Sequence, residues 1–267
     1  MSATGAAEMK ISNHSQSAAG KTVAMGNSVT FAGSGETDGG LTVNASFELD
    51  QGTEDPGPFD SHSVSVGSDT LGTLKVHGHG GSNAAAMRDA TASGDLWDNT
   101  LGITTASGGA GKTPQSGASG NGLVVYSLPE IADGVGIDVS YATAGENFEG
   151  STAIGTTITT IEGLTINLGF SEDASKVAET REQTFMGAEY VYGSITVGVS
   201  HNDWEHTTAS SDQETTSFGI SYTVTDSISV SYGQDTIENN TDTADGEVDG
   251  FTASYTSGGM TVAAKKL

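Results

Sequence analysis

Three short constellations in this chain contain residue types able to do chemistry. Gly108-Gly-Ala-Gly-Lys-Thr113 brushes against a phosphate loop, in which backbone N–H groups cradle phosphates and the Lys reaches them. That pattern requires Gly where Ala106 stands, and no strand-to-helix context surrounds it. His77-Gly-His79 sits at strand spacing, which would turn both rings to one side and offer two metal ligands. No third ligand follows at a recognisable spacing, so a solvated pair is the expectation. The segment Asp235–Asp249 holds six carboxylates and no base, but lacks the glycine and the acid spacing of a calcium loop. It reads as a solvated outer loop, with weak Ca²⁺ or Mg²⁺ binding, bridging to anionic lipid, as its sharper reading. Ser, His and Asp are plentiful, yet no nucleophile elbow appears. No catalytic set and no resident cofactor are therefore expected, and the chain does not read as an enzyme.

The elements around these residues carry more information. After a turn, Leu41, Val43, Ala45, Phe47 and Leu49 take one phase and Thr42, Asn44, Ser46 and Glu48 the other. Period two marks a strand with one apolar and one polar face. Alternation and turn chemistry predict about fifteen such strands, from about 5–12 to about 259–265. Short turns alternate with longer connections at about 13–27, 50–60, 79–119, 143–150, 172–183, 203–213 and 235–247. An up-and-down meander whose two rims meet different surroundings has this order, as outer-membrane barrels do. A Greek-key sandwich has no reason to keep it.

Composition bounds the partners. Across 267 residues, 34 acids face 9 bases, a formal charge of −25 that excludes nucleic acid as a natural partner. Only 34% of residues are hydrophobic and the mean hydropathy is −0.23, too little for a thick aliphatic core. No cysteine is present, which removes disulfide and thiolate chemistry. No apolar run approaches the length of a transmembrane helix, but barrel strands need only about ten alternating residues. All seven tyrosines (Tyr126, Tyr141, Tyr190, Tyr192, Tyr222, Tyr232, Tyr255) fall in the apolar phase, most of them near a strand end. That placement fits an aromatic girdle at the lipid headgroups. The opposite phase, such as Ser217, Gly219, Ser221 and Thr223, is too polar for a dry core.

Three stretches resemble the trimeric Gram-negative outer-membrane porin family, the general diffusion porins: Val29–Val43, Leu71–Val76 and Val124–Ala142. The resemblance implies an all-β, antiparallel up-and-down transmembrane β-barrel of sixteen strands, water-filled and non-catalytic. About fifteen of those strands are expected in this chain. The sequence reads as a fragment lacking the signal peptide and the last strand, and as one barrel domain over 1–267. The family's inward-folded third loop corresponds to about 79–119, the longest connection. Within it Ala84–Ala92 could form a short helix, and Arg88, Asp89, Asp95, Trp97 and Asp98 are the candidate pore-constriction residues. In the polar phase Lys10, Glu48, Lys75 and His77 are the candidate lumen wall. Both arginines, Arg88 and Arg181, fall in expected loops, so the lumen should be net negative and cation-preferring. Passive diffusion of ions and small hydrophilic solutes in the outer membrane of a Gram-negative bacterium follows. Lipid, lipopolysaccharide and two further copies are the implied partners, with no nucleic acid. The rival reading is a secreted or surface-layer acidic β-rich structural or binding protein, whose apolar rows would be buried between sheets.

Overall fold

The computed structural model describes residues 1–13, 21–50, 59–88, 119–120, 122–143, 148–175, 180–208, 212–240 and 245–266. Every regular element among them is a strand. They are β1 (Ser2–Asn13), β2 (Lys21–Glu36), β3 (Thr42–Asp50), β4 (Phe59–Ser68), β5 (Gly72–His79), β6 (Gly81–Ser82), β7 (Ser119–Gly120), β8 (Leu123–Ser127) and β9 (Val135–Ala142). Then follow β10 (Phe148–Ile161), β11 (Leu164–Ser175), β12 (Arg181–Tyr192), β13 (Ile195–His206), β14 (Gln213–Thr225), β15 (Ile228–Asn239), β16 (Gly246–Ser257) and β17 (Met260–Lys266).

Fifteen of these form one sheet in strict chain order, β1 to β5 and then β8 to β17, each antiparallel to its neighbour. The short β6 and β7 pair only with each other. Among the described residues no pairing joins β1 to β17. The fifteen expected strands and their order are thus present, and the expected all-β meander is the fold.

The two faces differ as the alternation predicts, and in the sense opposite to a soluble protein. On the apolar face Val64, Met186, Val199 and Phe251 are each at least 50% exposed. On the polar face Ser171, Asp173, Gln183 and Asp235 are at most 1% exposed. Water would penalise such an apolar surface, whereas bilayer hydrocarbon does not. The rival surface-protein reading needs those rows buried between sheets, and they are not.

Strands run longer than the alternation suggests. Asp173 belongs to β11, Arg181 to β12, Asp203 and Glu205 to β13, and Asp235 to β15. In each case the outward residues turn acidic or to Thr above the apolar band while backbone pairing continues. Hydrophobic periodicity marks only the stretch that meets lipid. Two expectations are corrected by this extension. Arg181 lies on a strand, not in a loop. The run Asp235–Asp249 is not one solvated loop either: β15 carries it to Asn239 and β16 resumes at Gly246, with Asp235 buried on the polar face.

Candidate functional site: an inward turn on the polar face

After β6 the chain makes a single turn at residues 84–88, and what it touches defines the concave side. Arg88 forms an ion pair with Asp138 of β9, and Asp138 also accepts from the Ser127 hydroxyl of β8. The Ala84 N–H donates to Ser140 Oγ at 2.8 Å, with both residues buried. Ala84 and Ala85 cluster with Ala153 of β10. On its other side, Met87 shares a cavity of about 470 Å³ with Asn44, Ser63, Ser65, Lys75 and His77 of β3, β4 and β5. One turn therefore meets the polar faces of β3–β5 and of β8–β10, so that face is the inside of a curled sheet.

Why the turn can lie so close to the wall is a matter of missing side chains. Gly155 of β10 and Gly169 of β11 are direct cross-strand partners. A Cβ built on Gly155 would stand 2.1 Å from the Ala84 carbonyl oxygen, and one on Gly169 would stand 3.0 Å from Ala85 Cα. The paired glycines form a floor on which backbone rests directly on sheet. The turn itself is held by Asn83, whose Oδ1 accepts from the Ala86 N–H at 2.7 Å, while the Met87 N–H reaches the Asn83 carbonyl. Asn, with its short acceptor, favours such local closure over a longer helix. The expected helix over Ala84–Ala92 is, in its described part, this one turn.

Of the candidate constriction residues only Arg88 is described; Asp89, Asp95, Trp97 and Asp98 lie outside the described residues. Arg88 is directed at the wall carboxylate Asp138, with its side chain 17% exposed. The candidate wall residues share the inner phase by register. Lys75 pairs with Ser65 and Val125, His77 with Ser63 and Leu123, and Glu48 with Thr30. Glu48 accepts from the Ser61 hydroxyl at 3.4 Å. Lys10, paired with Ala24, lies on the inner phase near the top of β1.

His77 and His79 do not face one side. The register shifts between His62 and Ser63, so Ser63 opposes His77 while His62 opposes His79. The bulge inserts Gly78 as an extra residue and sends His79 to the outer face. His79 Nδ1 there meets the Asp60 carbonyl oxygen. Among the described residues no three His, Asp or Glu converge to hold a metal.

A second polar assembly on the inner wall escaped the sequence reading. Asp173 accepts from Arg181 Nε and Nη2, both at 3.1 Å, and from the Ser151 hydroxyl. The Arg181 guanidinium lies 4.6 Å over the ring of Trp204 from β13. Below it Gln183 accepts from Ser171 and donates to Asn202 at 3.0 Å. The missed anchor had one readable signal: Asp138, Ser140, Gly155 and Gly169 all occupy the polar phase of strong strands. Nothing in the sequence says which wall an inward loop will choose.

The outer face carries the tyrosines expected to form the girdle. By register Tyr126 opposes Leu74 and Val139, Tyr190 opposes Val197, Tyr222 opposes Ile195 and Val230, and Tyr255 opposes Ile228 and Val262. Tyr192 closes β12 beside the short turn at Gly193, and Tyr232 opposes Ile220. Tyr141 alone sits at the long-connection end, as the penultimate residue of β9.

Comparison with known proteins places this arrangement. The sequence profile of the Gram-negative porin family matches residues 1–264. No curated protein matches the sequence. Among solved structures, a porin refined at 1.8 Å is 18% identical with a TM-score of 0.71, covering 100% of this chain and 94% of that one. A loop-deletion mutant of OmpT, an outer membrane protein of Vibrio cholerae, is 16% identical with a TM-score of 0.71, covering 98% and 90%. An anion-selective porin from Comamonas acidovorans is 15% identical with a TM-score of 0.65, covering 99% and 89%. At such identities the likeness speaks for the fold, and the profile speaks for the family. With its apolar rows turned outward, its polar rows turned inward and a turn anchored inside, this chain belongs to the Gram-negative porin family, the β-barrel channels of the outer membrane.

Proposed function

We propose that this channel passes small hydrophilic solutes by passive, non-enzymatic diffusion and prefers cations. The observation that carries the preference is the charge on the inner phase. Both arginines of the chain are engaged with carboxylates, Arg88 with Asp138 and Arg181 with Asp173. Their fields are offset close to the wall, where an ion in the water-filled centre feels a dipole and not a net charge. Glu8, Glu36, Glu48 and Glu189 share the inner phase with Lys10, Lys75 and Lys265. Asp89, Asp95 and Asp98, in the expected constriction loop, add further negative charge in sequence. A negative lumen concentrates cations and repels anions. An anion-selective porin shares the fold, so the fold leaves the sign open, and the charges are what support the cation reading.

The same reading assigns the bore to the loop of about 79–119, seated through its anchored turn, and the assembly to a homotrimer. Lipopolysaccharide would surround the outer rim, with divalent cations bridging to its acidic residues. Zero-current reversal potentials of the full chain in a planar bilayer under a KCl gradient test the preference. The expected sign is that of K⁺ permeation. A Cl⁻-directed potential overturns the cation reading, and the absence of any conductance overturns diffusion itself.

A further inference from the structure

The cavity beside the inward turn runs against the charge balance of the chain. Acids outnumber bases by 34 to 9 overall, yet among the described residues that line this cavity there is a Lys and no Asp or Glu. Its volume of about 470 Å³ is that of a small-molecule site. Lys75 stands at its centre, flanked in register by Ser65 of β4 and Val125 of β8. The Lys75 side chain is exposed to the lumen and, among the described residues, makes no ion pair. Carboxylates of the surrounding strands are engaged elsewhere, Glu48 with the Ser61 hydroxyl and Asp138 with Arg88 and Ser127. Hydroxyl donors remain beside the ammonium. Ser65 Oγ accepts from Asn44 Nδ2 at 3.3 Å, which leaves its own O–H to give, and Ser63 lies one pair further along, opposite His77.

The chemistry of the lining selects the ligand. An ammonium among hydroxyl donors binds a carboxylate through charge-assisted hydrogen bonds, stronger than the neutral ones that hold a polyol. One unpaired cation matches one negative charge. The remaining hydroxyls suit the hydroxyls of a sugar, while Met87 and Val125 give the same cavity an apolar flank for the C–H face of a ring. Toward the short-turn rim the cavity continues past Asn44, Thr73 and Ser127 into a second, of about 490 Å³, lined by Asp69 and Glu130. An anion leaving Lys75 by that route meets carboxylates, which favours dwelling over passage.

We infer that this cavity is a binding subsite for small hydroxylated carboxylates of the sugar-acid class, with Lys75 holding the carboxylate. The inference rests on the diffusion-channel reading and names a solute that the channel retains. Its test uses the full chain in a planar bilayer at constant KCl, with D-glucuronate as the probe. D-Glucose is the neutral counterpart, and acetate carries the charge without the hydroxyls. Glucuronate should interrupt the K⁺ current in a saturable manner, acetate more weakly, and glucose not at all. Lys75→Gln should weaken the glucuronate block at least roughly tenfold, the worth of one charge-assisted hydrogen bond, and Lys75→Arg should retain it. Heat-modifiable migration on gels reads whether each variant is folded. Equal block by glucose or by acetate, or a glucuronate block that survives Lys75→Gln in full, overturns the proposal. Titration calorimetry of the chain in detergent reads the same binding without a current. Glucuronate binding there with no conductance in the bilayer would sink the channel reading and leave the site standing. A K⁺ current with neither block nor heat would sink the site and leave the channel.

Discussion

Gly155→Ala is the sharpest perturbation available, because it adds one carbon where the inward turn has no room. The added Cβ would lie 2.1 Å from the Ala84 carbonyl oxygen and 2.9 Å from Arg88 Cγ. Recovering an ordinary van der Waals separation requires the turn to lift by about 1 Å toward the lumen. The neighbouring floor is also close, since a Cβ on Gly169 would stand only 3.0 Å from Ala85 Cα. A lift of that size stretches the 2.8 Å bond from the Ala84 N–H to Ser140 Oγ beyond hydrogen-bond range. Leaving that buried donor unpaired costs about 1–3 kcal/mol. The strand itself should tolerate alanine, so refolding yield and heat-modifiable migration should match the parent. Single-channel recording in a planar bilayer should show a lower conductance with added flicker, as the turn encroaches on the passage and loses one tether. Gly136→Ala is the control, because its Cβ would meet nothing within 4 Å on the inner phase of β9. Matched conductance and noise in the Gly155 and Gly136 variants would refute the argument that the glycine floor seats the turn.

Three further outcomes follow from the same geometry. Leu168→Arg, at the middle of the apolar band, should cost about 2–4 kcal/mol in urea unfolding from lipid, and an unchanged midpoint would mean that this face does not see hydrocarbon. Asp173→Ala leaves the Arg181 guanidinium facing the inner wall without its carboxylate, and should lower stability by about 3 kcal/mol, somewhat less where water reaches the arginine. The heat-modification midpoint on gels reads that loss, with Asp173→Asn as a milder companion. Asp95→Lys combined with Asp98→Lys should shift the reversal potential toward anions, and an unmoved potential would place that segment away from the conducting path.

Legibility in the sequence tracked the physics of each feature. The strands Leu164–Ser175 and Gln213–Thr225 announced themselves through Leu, Ile, Phe and Tyr in one phase, because hydrocarbon imposes a two-residue period wherever it touches the wall. Their upper ends were invisible. Glu172, Glu182 and Glu205 pair directly across three strands, yet nothing apolar there beats against the polar phase. Hence Arg181 looked like a loop cation when it is an inner-wall partner of Asp173. The His77–His79 pair failed for another reason: a single extra residue at Gly78 reverses the side on which everything after it points, and no composition rule foretells a bulge.

What the amino-acid order settled alone was the class of wall: alternating phases, short and long connections in turn, and a strongly acidic charge balance. Those are local or additive properties, readable within a strand or summed over the chain. The tertiary structure decided which inner residues meet. Asp138 and Arg88 are separated by fifty positions, and Gly155 and Ala84 by more, so their contact exists only once the sheet has curled and the turn has folded back onto it. Local periodicity can say that a residue faces inward, but only closure of the chain in space can say what it faces.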